Sequence, residues 1–137
     1  IIFLSTALES ILASISDSKK GETIAYRMLL LNTFIEESFT HPSRVLYVYE
    51  LRSKVIHGSD LYASSKKDYS TMKHVAIETV ENASLAIQKM GIRRKNEFHR
   101  QLESDKKTVD EIIKWLREQG DPRSIQLADY MADHINP

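Results

Sequence analysis

Glycine and proline mark out this chain more sharply than any other residue types. There are four glycines and three prolines, and those before the last residue fall between segments whose apolar residues recur at helical spacing. No alternating strand pattern competes, so the fold class expected is all-α. Ile1, Leu4, Ala7, Leu8, Ile11, Leu12 and Ile15 share one arc and predict a helix over roughly 1–15. Ser16 to Gly21 is a polar break. Ile24, Met28, Leu31 and Ile35 predict a second helix over roughly 22–39. Pro42 suits the first turn of a third helix, which runs to about His57, with Gly58 as its left-handed cap. Gly58 to Tyr69 reads as a loop, and Met72, Ala76, Val80, Ala83, Ile87 and Met90 define a fourth helix ending near Gly91.

The chain changes character after that glycine. Arg93, Arg94, Lys95, Arg100, Lys106 and Lys107 crowd one stretch, opposed by Glu97, Glu103 and Asp105. This alternation of sign favours a solvated helix face over an RNA contact. Phe98, Leu102, Val109, Ile112, Ile113 and Leu116 form a narrow stripe, expected as one long helix or two joined pieces over roughly 96–119. A stripe so narrow suits a helix-pairing seam that lengthens a dimer interface. Gly120-Asp121-Pro122 combines a glycine cap, an aspartate N-cap and a proline at the first helical position. Ile125, Ala128, Met131, Ala132 and Ile135 then predict a final helix. The architecture expected is an antiparallel helical bundle over 1–92 with short connections. A C-terminal helical extension, 93–137, would pack on that bundle or at a dimer interface.

Composition narrows the function. The 137 residues carry 19 basic and 19 acidic side chains, so nucleic acid would be held by a local patch and not by a global field. Without cysteine there is no disulfide framework and no thiolate chemistry, and zinc has few ligands. His41, His74, His99 and His134 lack ligand-like spacing, so no metal is expected. No apolar run approaches the roughly 20 residues that span a bilayer, and no signal peptide is legible. A cytoplasmic location with no membrane partner is the expectation. Ile1 opens inside an apolar helix pattern, which suggests a segment of a longer protein with a domain upstream.

One residue breaks the helical patterning. In the third helix Val45, Val48, Tyr49, Leu51, Val55 and Ile56 cover one face, and Arg52 falls among them. A guanidinium is always charged, and burying it unpaired is very costly. Arg52 therefore has a carboxylate partner or faces a cleft where an anion is expected. His57 follows five residues later, beside Gly58. Such a pair suits RNA cleavage, in which the ribose 2′-OH attacks the adjacent phosphate and the 5′-oxygen leaves. Arg52 can hold the phosphate with two parallel hydrogen bonds. His57 can shuttle protons near neutrality, and a helix C-terminus favours its imidazolium. Five residues on a helix subtend about 140°, so the two side chains do not meet on one straight helix. Either the helix ends before His57, or a second subunit completes the site.

The Arg-x4-His pattern of Arg52 and His57, placed late in the third helix and followed by Gly58, resembles the motif of the HEPN superfamily. The surroundings look like its Apea-like branch. They are Leu46-Tyr47 and Leu51-Arg52-Ser53-Lys54 with Ile56-His57-Gly58, Ala7-Leu8-Glu9-Ser10-Ile11-Leu12 in the first helix, and Glu22-Thr23-Ile24-Ala25-Tyr26-Arg27 opening the second. The resemblance covers about 1–90. It implies a bundle that dimerises with its motif helices forming a shared cleft. It also implies metal-independent endoribonuclease activity without a cofactor, in antiviral defence or toxin–antitoxin settings. Partners would be RNA, a second copy, and an upstream domain or an antitoxin. Arg52 and His57 become the catalytic pair. Ser53 would hydrogen-bond phosphate or orient His57, at a position where many members carry asparagine, aspartate or histidine.

Further candidates surround this pair. Glu9 could pair with Arg52 or Arg27 across the bundle and so fix the arginine's orientation. Arg27 and Arg44 could extend a positive cleft, although a solvated surface arginine is the commoner case. Lys54 and Tyr47 are candidate RNA contacts. Tyr47 and Tyr49 could stack on bases, but a dimer interface is the better reading. No nucleophile-elbow glycines surround any serine, which argues against a hydrolase triad. The competing account of Arg52 and His57 is a structural arginine with a capping histidine. The whole chain would then be a non-catalytic RNA-binding or dimerisation module serving an upstream effector.

Overall fold

The structure, a computed structural model, describes residues 2–14, 17, 19–36, 42–56 and 66–135. Seven helices make up these residues. They are α1 (Ile2–Leu12), α2 (Lys20–Phe34), α3 (Pro42–Ile56), α4 (Lys66–Met90), α5 (Lys95–Glu103), α6 (Lys106–Gln119) and α7 (Pro122–His134). No strand occurs among them. No helix is long and apolar enough to cross a membrane, among the described residues.

α2 is the centre of the molecule. Every residue from Thr23 to Leu31 is buried, a pattern found only when a helix is covered on all sides. α1, α3 and α4 pack on part of its circumference, and α5, α6 and α7 cover the rest. The stripe from Phe98 to Leu116 is therefore consumed inside the chain. Phe98, Leu102, Val109 and Leu116 belong to the same core as Leu8, Leu30 and Val45, so the dimer seam expected of this stripe is not free. α2 also starts earlier than expected, with Gly21 in its first turn and not ahead of it.

α2 and α3 run antiparallel. Pro42 lines a crevice with Asn32 and Thr33 at one end, and the Tyr49 hydroxyl donates to the Glu22 carboxylate towards the other. Past α4, Gly91 adopts a left-handed φ of 66°. Its amide donates to the Ile87 carbonyl at 3.0 Å, and the Ile92 amide donates to the same oxygen at 3.3 Å, as a helix-terminating glycine does. The stretch expected as one helix or two is two. Asp105 caps α6, its carboxylate accepting from the Thr108 amide and hydroxyl at 3.3 and 2.9 Å. Gly120 is left-handed with φ 77°, and Asp121 accepts from the Ser124 amide at 2.9 Å. That turn folds α7 back along α6 as the sequence implies.

Two expected core positions are not core. Val80 and Ile125 are 48% and 38% exposed. On α4 the buried arc instead runs Met72, Val75, Ala76, Thr79, Asn82, Ala83 and Ala86. Both arcs have helical spacing, so periodicity alone cannot choose between them. The arc that is buried admits Glu78 and Asn82 because polar partners meet them. The His74 ring lies 3.8 Å from Glu78, and the Asn82 amide reaches the Asn32 oxygen at 3.5 Å.

Candidate functional site

α3 buries the arc expected of it, with Val45, Val48, Tyr49 and Leu51 all at most 5% exposed. The helix is described as far as Ile56. His57 lies outside the described residues, as do the side chains of Arg52, Ser53 and Lys54.

The antiparallel pairing locates the end of the bundle to which they belong. With Tyr49 opposite Glu22, the last turns of α3 run beside the N-terminus of α2. There Lys20 pairs with Glu9 at 3.1 Å. Arg123, at the start of α7, joins the same end. Its Nε donates to the Glu50 carboxylate at 2.7 Å, and its guanidinium lies 5.0 Å from the centre of the Tyr49 ring. Burial raises the Tyr49 hydroxyl pKa first and the Glu22 carboxylate raises it further, so the phenol stays protonated. Tyr49 is thus a core residue tying three helices together and not the interface aromatic expected. Arg123 comes from the stretch beyond the resemblance. Its only sequence signal is its place behind the Asp121-Pro122 helix start, which does not say what it meets.

Arg44 and Tyr47 are exposed on the solvent side of α3. Tyr47 and position 52 are about 140° apart around the helix, and Arg44 lies about 12 Å along it from position 52.

Arg27 overturns its expectation more fully. It is 6% exposed and neither solvated nor part of a cleft. Its Nε donates to Glu103 at 3.0 Å, and one terminal nitrogen donates to the Leu12 carbonyl at 2.7 Å and to Asp17 at 3.1 Å. Two carboxylates neutralise it, so it adds no positive potential, and its carboxylate partners are Asp17 and Glu103, not Glu9. The Tyr26 hydroxyl also donates to Glu103. Burial pushes the Asp17 carboxyl up, but the Ser14 amide and hydroxyl and the Arg27 guanidinium together hold it below its ordinary value. Next to this node His99, 4% exposed, donates from Nε2 to the Ile11 carbonyl at 2.8 Å. Desolvation lowers its pKa against the pull of that carbonyl, and Arg27 adds to the lowering. A sequence signal for this node exists: a cation inside an otherwise apolar run requires acids somewhere in the chain. Which acids supply it is a matter of packing.

Among the described residues no three His, Asp or Glu side chains converge as metal ligands would. No family model matches the chain, and no curated protein or solved structure shows detectable similarity to it.

Proposed function

We propose that this chain is an Apea-like HEPN endoribonuclease that cleaves RNA without a metal. It acts as a homodimer in the cytoplasm, in antiviral defence or a toxin–antitoxin setting, regulated by an upstream domain or an antitoxin. What supports the reading is the Arg-x4-His pair itself: Arg52 in α3 and His57 five residues on, in a helix whose described inner face of Val45, Val48, Tyr49 and Leu51 is buried in the bundle. On one straight helix the two side chains would stand about 140° apart, so in this reading either α3 ends before His57 or a second subunit completes the site. Arg52 would bind the scissile phosphate and stabilise the charge that builds on it as the 2′-oxygen attacks. His57, at the negative end of the α3 dipole, would move the proton from the 2′-OH or to the leaving 5′-oxygen. Arg44 and Tyr47 are exposed on α3, and in this reading they and Lys54 contact RNA that runs across the dimer, beyond the scissile phosphate.

The test is incubation of the purified chain with a mixed RNA pool in EDTA. Cleavage leaving 2′,3′-cyclic phosphate or 3′-phosphate ends is expected, and Arg52→Ala or His57→Ala should each lower it at least 100-fold while melting behaviour stays unchanged. Mixing the two inactive variants should restore part of the activity if the cleft takes one residue from each subunit. A folded dimer that binds RNA and leaves it intact, with binding weakened by Arg52→Ala alone, would support the non-catalytic module instead.

A further inference from the structure

A cavity of about 270 Å³ opens where α1, the end of α4 and the start of α5 meet, away from α3. Its floor is apolar, made by Ile11, Ile87, Ile92 and Phe98. Phe98 is part of the core, and the three isoleucines pack against it half-buried. The left-handed turn at Gly91 builds the back of the cavity by returning Ile92 onto Ile87. Arg93, Arg94 and Lys95 follow immediately and form the rim, all exposed. Arg93 and Arg94 thus lie in the connection before α5, not on the solvated helix face expected of them.

The rim carries three consecutive cations beside an apolar floor. Arg27, Arg117 and Arg123 each hold a carboxylate. Among the described residues, Arg93, Arg94 and Lys95 hold none. Arg94 is also the N-cap of α5 and supplies no side-chain cap; the Glu97 amide is instead taken by the Asn96 side chain at 3.0 Å. Three adjacent cations that form no ion pair among the described residues repel one another, and beside an apolar hollow they complement a ligand that is anionic at one end and compact and apolar at the other.

We propose that this cavity binds a nucleoside monophosphate group, with the base against the isoleucine floor and the phosphate on Arg93, Arg94 and Lys95. A phosphate dianion matches a cluster of this charge better than a single carboxylate does, and guanidinium groups grip it with paired hydrogen bonds. The volume lies just below the range of drug-sized ligand pockets, enough for one ring system and too small for a long acyl chain. The floor is apolar. On the lining, the Ser10 hydroxyl donates to the Ala7 carbonyl at 2.8 Å, which leaves its oxygen free to accept from a base edge. Recognition is therefore tolerant of base identity. The group can come from a free nucleotide or from an unpaired residue of an RNA strand. The proposal stands whether or not the chain cuts RNA.

The measurement is a titration of the 137-residue chain, with its isoleucine methyl groups labelled for NMR, using AMP, adenosine, inorganic phosphate and a 2′-O-methyl oligoadenylate that cannot be cleaved. AMP should shift Ile11, Ile87 and Ile92, and the Arg93→Ala/Arg94→Ala variant, with an unchanged melting curve, should weaken it at least tenfold. Adenosine should bind more weakly than AMP, and inorganic phosphate should leave the three methyl signals in place. If the oligonucleotide moves the same signals at tenfold lower concentration, the source is an RNA strand; if AMP matches it, the source is a free nucleotide. Unmoved isoleucines under AMP, equal competition by inorganic phosphate, or unchanged AMP affinity in the double variant would overturn the proposal.

Discussion

Arg27 is held by Glu103, Asp17 and the Leu12 carbonyl, and the consequences of removing it are specific. Arg27→Met would leave Asp17 and Glu103 facing an apolar surface from partly buried positions. Breaking a buried pair in this way costs about 3 kcal/mol or more. A clear fall in the urea midpoint is the expected result. Arg117→Ala is the control: its bridge to Asp129 is 46% and 58% exposed, and such pairs are worth about 1 kcal/mol or less. Equal effects from the two variants would show that the Arg27 node carries no special weight. His99 makes a prediction in pH. Its folded pKa is depressed by burial, so below the ordinary histidine value of about 6.5 the unfolded chain takes up a proton that the folded chain resists. Stability should be full above that pH and decline as pH falls from about 7 towards 5. His99→Gln should flatten that decline. The depressed Asp17 carboxyl acts in a lower window, where its stabilising effect is lost as pH falls through its folded value, so the two effects separate.

The helices end where their caps end them. Gly91 and Gly120 turn left-handed, and Asp105 and Asp121 receive the first free amides of α6 and α7. Asp121→Ala removes acceptors from both the amide and the hydroxyl of Ser124, which is fully buried. A loss of about 1 kcal/mol is expected, read as a lowered melting temperature. An unchanged melt would mean that Pro122 and the packing of α7 on α6 suffice to start the helix. These turns were legible because their chemistry is local. The buried side of α4 was not, since Val80 and Thr79 both satisfy helical spacing and only the neighbouring helices select between them.

The extension after Gly91 is part of the molecule's single core. It covers the side of α2 that a smaller bundle would leave in water, and Tyr26, Arg27 and Thr23 all find partners on it. The resemblance in α1 to α4 stops short of these residues, yet α2 is apolar on nearly every side because they are present. A chain cut after residue 92 should therefore lose cooperative unfolding and expose apolar surface to a hydrophobic dye. A sharp melt for the shortened chain would show instead that the first four helices are self-sufficient.

Helix type, the order of the elements and the caps at Gly91, Gly120 and Asp121 were already present in the residue string, because spacing, glycine, proline and capping aspartates act over a few residues. The arc of α3 that holds Val45, Val48, Tyr49 and Leu51 was legible for the same reason, as was the anomaly of an arginine in it. The partners were not legible. Asp17 and Glu103 on Arg27, Arg123 on Tyr49 and Glu50, and three unneutralised cations around an isoleucine hollow all depend on residues far apart in sequence. A charge in an apolar run announces that it needs an opposite charge, but many acids could supply it. Which one does so is settled by the distances and desolvation that packing imposes.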